Sequence, residues 1–199
     1  MSTQNRKYEL KVRAQRQQET RRRIVEATVE LHREVGPART TVAEIARRAG
    51  IRRMTVYDHF PDETDLFAAC QARFLADHPP PDLTRALAQD DPHARVRAVV
   101  RALYRSYRAR APMTEKVLRD RAALPALDAL LARTMDAQLN HLVDALAKGF
   151  GARGVRARRI HAVLSVALDF FTWQRLTRKG LDDDAAAALM SDVVSHVGG

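Results

Sequence analysis

Two short amphipathic patterns separated by one glycine constrain the fold of this chain more than any other feature. Thr41 and Glu44 form a capping box, in which the hydroxyl accepts the Glu44 amide proton and the carboxylate reaches back. The helix that follows has one apolar face, formed by Val42, Ile45, Ala46 and Ala49. Gly50 ends it, and a second short helix is expected at about 52–59. A capped helix, a glycine turn and a second helix predict a helix-turn-helix.

Further helices are expected on both sides of this pair. Apolar residues at helical spacing occupy 24–35, and Gly36-Pro37 ends that pattern. After Pro61-Asp62, acidic residues favour the start of another helix. Three consecutive prolines within 78–82 then exclude regular structure, so this segment is expected to be a linker.

The rest of the chain shows helical patterns only, so we expect an all-α protein. Beyond the linker, helices are predicted at about 93–110, 113–121, 125–149, 156–178 and 183–197. Residues 1–19 lack an apolar period and are expected to form a basic arm, partly helical toward its end. The predicted organisation is therefore the arm at 1–19, a three-helix helix-turn-helix domain at 20–67, and a larger helical domain at 68–199.

Composition limits the classes of protein that this chain can represent. The formal net charge of +10 attracts polyanions, either nucleic acid or an anionic membrane surface. No apolar run approaches the roughly 18–20 residues of a membrane span, and the polar N-terminus lacks the apolar stretch of a signal peptide. Cys70 is the single cysteine, which excludes an intrachain disulfide and a cysteine-cluster metal site. A cytoplasmic protein without membrane partners is expected.

The positive charge is concentrated in two places. Residues 1–23 carry eight Lys/Arg against two Glu, a balance of +6, which a solvated surface could produce by itself. Residues 39–57 carry five arginines against Glu44, a balance of +4. Because the second cluster coincides with the predicted helix-turn-helix, it favours nucleic acid as the polyanion.

The second helix of the pair is predicted to expose Arg53, Met54, Thr55, Tyr57 and His59. Arginine can pair bidentately with guanine, and threonine and methionine can touch thymine methyl groups. Tyrosine and histidine can reach phosphates. The alternative is an ordinary helical hairpin whose charged face is only solvated.

The sequence from Thr41 to Phe67 resembles the DNA-binding domain of TetR-type transcriptional regulators. The resemblance extends over about residues 20–67, and beyond that only length and helix layout agree. The positions that match the family pattern are Ala46, Gly50, Thr55, Tyr57, His59-Phe60 and Leu66-Phe67. Such regulators dimerise through their last two long helices, and their C-terminal domain binds a small effector that changes the spacing of the two DNA-reading heads.

The resemblance implies roles for individual residues. Thr41, Tyr57 and His59 would contact phosphates, while Arg53, Met54 and Thr55 would face base edges. The basic arm, through Arg13, Arg16, Arg21, Arg22 and Arg23, would extend into a neighbouring groove, with a merely solvated arm as the alternative.

Two positions depart from the family pattern. Arg52 stands where a small capping residue is usual, which makes it a candidate phosphate contact instead. Glu63 stands where a lysine usually grips a phosphate, so that contact is not expected here.

In the C-terminal part, the helices predicted at 156–178 and 183–197 carry apolar stripes that could form a two-fold dimer interface. The alternative is that these stripes pack within the chain. The candidate effector residues are aromatic, apolar or polar side chains expected on inward-facing helices: Tyr104, Tyr107, Met113, Leu118, His141, Phe170 and Trp173. An aromatic set at helical spacing is also typical of an ordinary core.

No enzyme motif is present, and neither a cofactor nor a metal site is expected. The sequence therefore predicts a sequence-specific DNA-binding dimer, a repressor that a small molecule releases from its operator. The alternatives are a constitutive, nucleoid-type DNA-coating dimer without a ligand switch and, less favoured, a helical enzyme with a vestigial head.

Overall fold

The computed structural model describes the backbone of residues 3–198 and the side chains of residues 7–197. Over that range the chain is built from helices and contains no strand, which confirms the all-α expectation. The helices are α1 (Thr3–Glu34), α2 (Val42–Ala49), α3 (Arg53–His59), α4 (Glu63–Asp77), α5 (Thr84–Leu87), α6 (Pro92–Asp120), α7 (Pro125–Leu131), α8 (Ala137–Lys148), α9 (Gly154–Ala167), α10 (Phe170–Arg178) and α11 (Asp183–Gly198). No helix in the described range has the length and hydropathy needed to cross a membrane.

The chain divides into two compact units. The first comprises Met1–Pro79 and Pro112–Leu130, and the second comprises Pro80–Ala111 and Leu131–Gly199. The first unit therefore contains α1 to α4 and the second contains α8 to α11.

Helices α1 to α4 of the first unit share one apolar core. The sequence spacing predicts this, because the apolar positions of α1 and α2 recur every three or four residues. The core is formed by Ile24, Val25, Ala27, Val29, Leu31, Ile45, Ala46, Ala49, Val56, Phe60, Leu66 and Cys70. The short helices α2 and α3 are thus held in place by side chains of the longer helices around them.

Helix α1 is longer than the sequence pattern predicts. It begins at Thr3 instead of near residue 20, so the predicted basic arm is a continuation of the helix. Residues 7–19 are exposed apart from Val12, and the first fully buried side chain is that of Ile24. Gln, Arg, Glu, Lys and Ala dominate this stretch and favour helix without packing. Extension from an anchored helix also avoids the cost of nucleation.

The loop after α1 is held by the last residues of α6, which belong to the same unit. The Ala38 amide donates to Asp120 Oδ2 over 3.1 Å, and Arg119 Nη2 donates to the Val35 carbonyl over 3.2 Å. Arg119 also pairs with Asp120 at 2.6 Å and holds the pKa of that carboxyl below its usual range. These contacts fix the segment that leads into Thr41.

The core of the second unit lies between the first part of α6 and helices α8 to α11. Valines at 96, 99 and 100 face inward from α6. The opposing fully or nearly fully buried side chains are Val143, Leu146, Ile160, Leu164, Leu168, Ala186, Ala187 and Val194. On the surface, Arg101 and Arg105 of α6 both bind Asp184 of α11, and Arg108 binds Asp183.

The single helix predicted at 156–178 is wrong, because the chain breaks between α9 and α10. Asp169 caps α10 by accepting from the Thr172 amide over 2.7 Å. The carbonyls of Ala167 and Leu168, freed by the break, accept from the hydroxyls of Tyr104 and Tyr107 at 2.9 and 2.5 Å. Partners 61 and 63 residues away in the chain therefore stabilise a break that contains neither glycine nor proline.

The break predicted at Ala111-Pro112 does not occur, and α6 runs through Pro112. Proline removes one helical hydrogen bond, which leaves the Arg108 carbonyl without its usual donor. Both Pro112 and Arg108 are exposed, so water can reach that carbonyl. The helix predicted at 125–149 is interrupted by one turn of π-helix, Ala132–Asp136.

Candidate nucleic-acid interface

Helix α2 is capped by Thr41, whose hydroxyl accepts from the Glu44 amide over 3.2 Å. This half of the predicted capping box is present. The Glu44 carboxylate does not complete it but pairs with Arg47, and that hydrogen bond holds the pKa of Glu44 below its ordinary value. A hydroxyl that accepts one hydrogen bond still has its proton to donate, so exposed Thr41 remains able to bind a phosphate oxygen.

The turn between α2 and α3 depends on Gly50. This residue has φ +64° and ψ +41°, a left-handed conformation that L side chains disfavour. A Cβ at this position would also lie 2.9 Å from Arg23 Nη2. That guanidinium donates to the Ala49 carbonyl and, over 3.4 Å, to the Gly50 carbonyl. Helix α1 therefore contributes directly to the geometry of the turn.

Helix α3 presents the residues that the sequence singled out as base contacts. Val56 and Phe60 anchor the helix in the core, while Met54 and Tyr57 are 66% and 50% exposed. Arg53 is also exposed, and Thr55 is half-buried. Within the described side chains, neither Arg53 nor Tyr57 makes a hydrogen bond or an ion pair. The outer face of α3 is thus a protruding surface with its donors unused.

The start of α3 has no side-chain cap. Arg52 occupies the capping position in an extended conformation, and its side chain makes no capping hydrogen bond, as the sequence predicts. The first turn of the helix therefore has amides without intrahelical partners beside an exposed cation. Both features favour an anion such as a phosphate.

The end of α3 is held by Arg21, a role that sequence reasoning missed. Arg21 Nη1 donates to the His59 carbonyl over 2.9 Å, and its guanidinium lies 4.0 Å from the centre of the Phe60 ring. A cation at a helix C-terminus also complements the helix dipole. The partially buried His59 thus ends a helix whose last turn is bonded to α1.

Three of the five arm arginines expected to reach a neighbouring groove are used within the chain. Arg23 holds the turn of the helix-turn-helix, and Arg21 holds its end. Arg22 forms ion pairs with Glu19 at 2.6 Å and Glu26 at 2.8 Å. Arg13 and Arg16 have no ion pair among residues 7–197.

The side of the domain at α4 is acidic. Asp62 caps the helix by accepting from the Thr64 amide over 2.8 Å, and Glu63 and Asp65 occupy its first turn. These carboxylates already complement the helix N-terminus. A phosphate would be repelled there, in agreement with the interpretation of Glu63 from the sequence.

Four of the seven candidate effector residues lie together in the second unit. The Tyr107 ring is 5.6 Å from Phe170, 6.0 Å from Trp173 and 6.1 Å from Tyr104, measured between ring centres. All four side chains are buried. Their polar atoms bind within the chain, since both hydroxyls hold the α9–α10 break and Trp173 Nε1 donates to Asp183 over 2.9 Å. These residues build the core of the unit.

The other three candidates are not part of this cluster. Met113 is buried and Leu118 is partially buried, and both lie in the first unit. His141 is exposed on α8, contrary to the inward position expected from the sequence. No group of three side chains able to hold a metal ion occurs among the described residues.

Helices α9 and α11, which pack against each other, expose apolar side chains. Val166 of α9 is exposed, and so are Leu189 and Val193 of α11, at 45% and 41%. Leu164, on the stripe considered for a dimer interface, is instead fully buried in the chain's own core. The apolar surface available to a partner is therefore narrower than the sequence stripes.

Comparison with known proteins finds a family match within the first unit. A family model described as "Bacterial regulatory proteins, tetR family" matches residues 24–70. The HTH-type transcriptional regulator AcrR of Shigella flexneri is 41% identical over 54 residues, which cover 27% of this chain and 25% of that protein. The match thus spans about a quarter of the length of this curated relative.

Solved structures resemble the chain over most of its length. NalD, the secondary repressor of the MexAB-OprM multidrug efflux pump in Pseudomonas aeruginosa, has a TM-score of 0.60 at 22% identity, with 91% of this chain and 96% of that chain covered. The multidrug binding protein EbrR, in a complex with imidazole, has a TM-score of 0.55 at 20% identity, with 89% and 88% covered. At such identities the likeness concerns the fold alone.

Proposed function

Because residues 24–70 match the model of the tetR family of bacterial regulatory proteins, we propose that this chain is a member of that family and a sequence-specific repressor of transcription. It binds operator DNA as a homodimer, and a small molecule releases it. An operator-binding protein acts where the chromosome is, so the proposal includes a cytoplasmic location. The names of two structural relatives, a secondary repressor and a multidrug binding protein, agree with it.

The observation that carries the proposal is the outer face of α3. This face exposes Arg53, Met54 and Tyr57. Arg23 holds the turn that precedes α3, and Arg21 holds the end of α3. A helix of this kind lies in the major groove, where arginine and apolar side chains distinguish base pairs. Thr41, Arg52, Tyr57 and His59 are then available for phosphates on either side, and Thr55 for a thymine methyl group.

Dimerisation is supported by the exposed apolar side chains of α9 and α11. Leu189 and Val193 lie one helical turn apart, so that a second copy related by a two-fold axis would bury both of them against their equivalents. Two heads that enter successive major grooves need centres about 34–36 Å apart, or a multiple of that spacing.

For the effector, the aromatic cluster of the second unit is the proposed region. Because the polar atoms of Tyr104, Tyr107 and Trp173 are satisfied within the chain, a ligand gains little from binding them directly. An apolar or aromatic compound that separates α9 from α10 near Phe170 fits this chemistry better. Such a compound lowers operator affinity only if it binds the DNA-incompetent arrangement more tightly, typically by about 1–3 kcal/mol.

Selection of bound sequences from a random duplex pool at physiological salt tests the proposal. A repressor enriches one pseudo-palindrome whose half-sites are separated by one helical turn or a multiple. A nucleoid-type protein, the alternative, enriches none and binds every duplex with strong dependence on salt. That second outcome would remove sequence-specific repression while leaving DNA binding intact.

A further inference from the structure

The part of α1 that precedes the helix-turn-helix core has a surface that packing within the chain does not explain. Residues 7–19 are exposed apart from Val12, and they include Tyr8 and Leu10, which are largely exposed. A helical segment whose side chains are exposed on all sides gains no stability from a core. This segment, which we call the arm helix (residues 7–19), is therefore available to a partner.

The arm helix ends beside the last turn of α3. Arg21, which donates to the His59 carbonyl, defines the side of α1 that faces the last turn of α3. Gln17 and Arg13 precede Arg21 by four and eight residues, so all three lie along one stripe. At 1.5 Å per residue, Arg13 is about 12 Å farther along the helix axis. Arg16 precedes Arg23 by seven residues, so it lies on the side of α1 that faces the turn between α2 and α3.

The arm helix carries cations that the chain does not neutralise. Lys7, Lys11, Arg13 and Arg16 make no ion pair among residues 7–197, whereas Glu19 is occupied by Arg22. Glu9 is the other acidic residue of the segment, and it too has an interaction partner. The segment therefore offers four cations and little competing acid.

In contrast to the cationic arm helix, the start of α4 is acidic. Asp62, Glu63 and Asp65 make the start of that helix unsuitable for a phosphate. A DNA-binding head that lacks a contact there needs cations elsewhere, because phosphate contacts supply much of the affinity for DNA. The arm helix offers such cations, and it is part of α1, which is hydrogen-bonded to the end of α3.

We propose that the arm helix is a second DNA-binding element, which binds the phosphates of the duplex flanking the half-site contacted by α3. Arg13 and Arg16 are its principal contacts. The inference rests on the proposed function. The 13 residues of the arm helix span about 20 Å, which corresponds to roughly six base pairs of flanking duplex. The contacts carry no base preference, since phosphates are the same in every sequence.

The test uses the double variant Arg13→Gln/Arg16→Gln in the full chain. Glutamine is nearly as good a helix former as arginine, so the arm stays helical, as circular dichroism will show. The matched control, Arg85→Gln/Arg133→Gln, removes the same charge from exposed positions outside α9 and α11. Fluorescence anisotropy then measures affinity for the selected sequence against salt concentration, on a duplex with ten flanking base pairs per side and on one trimmed to the half-sites.

On the long duplex, we expect the slope of log affinity against log salt to flatten in the arm variant. The change is about 0.9 for each phosphate that is no longer neutralised, or about 3.6 for the four arginines that a dimer of the variant lacks. The control keeps the parental slope, and on the trimmed duplex the parent and the arm variant converge. Equal slopes for parent and arm variant on the long duplex would overturn the inference while leaving the proposed function intact. Absence of any sequence preference in the parent would overturn the proposed function itself.

Discussion

Two buried tyrosines of α6 stabilise the break between α9 and α10 through their hydroxyl groups. Tyr107 donates its hydroxyl proton to the Leu168 carbonyl over 2.5 Å, and Tyr104 donates to the Ala167 carbonyl over 2.9 Å. Burial raises the pKa of both phenols above the usual range, so each hydroxyl keeps its proton across ordinary buffers. Tyr107→Phe removes one donor and leaves a buried carbonyl without a partner.

The size of the effect follows from that unsatisfied carbonyl. A buried acceptor that loses its donor costs about 1–3 kcal/mol. With a urea dependence of about 2 kcal/mol per molar, the unfolding midpoint should fall by about 0.5–1.5 M. Tyr104→Phe should cost a similar amount. The double variant need not show the sum of the two costs, because both hydroxyls stabilise the same break.

Equilibrium unfolding in urea, at one protein concentration throughout, measures these differences. Tyr8→Phe is the matched control, because its hydroxyl is exposed on α1 and its loss should change stability by less than about 0.5 kcal/mol. If Tyr104→Phe and Tyr107→Phe unfolded at the same urea concentration as the Tyr8→Phe control, the two hydroxyls would not be what holds the break.

Three further predictions concern the assembly, acid stability and thiol chemistry. Leu189→Glu should give a folded monomer by light scattering, because Leu189 is exposed in the single chain. Leu164→Glu should unfold the protein, because it places a charge in the core. The control Ala188→Glu, which lies near Asp184 and Asp192 on the exposed side of α11, should leave the dimer intact. Burial lowers the pKa of His32 to about 4, so the unfolded chain binds a proton there that the folded chain does not between about pH 6.5 and 4. The free energy of unfolding should therefore fall by up to roughly 3 kcal/mol as the pH drops through that window, and by less in His32→Gln. Burial raises the pKa of the Cys70 thiol to about 12, so the folded chain holds almost no reactive thiolate. A thiol reagent should therefore label Cys70 only when the first unit opens, and urea should accelerate the labelling.

The helix-turn-helix could be predicted from the sequence because its signals are local. Thr41 caps α2 through an amide three residues away, and Gly50 ends it through its own backbone conformation. The absence of a cap at Arg52 is equally visible in the sequence. The contacts that hold α2 and α3 could not be predicted, because Arg21 and Arg23 bind residues 26 to 38 positions away in the chain.

The second unit was harder to predict because long-range partners decide its helix ends. Asp169 alone gives a weak signal for a break, and the stabilising hydroxyls come from α6. At Pro112 the strong local signal misleads, because an exposed carbonyl can bind water and the helix continues. Four of the candidate effector residues lie together in the core, but spacing alone could not distinguish a pocket from a packed core.

The assignment of α3 as the base-contacting helix is tested most directly by repeating the selection from random duplexes with Arg53→Ala. We expect that variant to lose its preference at one position in each half-site, at a cost of about 1–3 kcal/mol on the parental sequence. Tyr57→Ala should weaken binding to all sequences alike and keep the parental preference. An Arg53→Ala protein that is folded and enriches the same sequence as the parent, at the same affinity, would contradict the placement of α3 in the major groove.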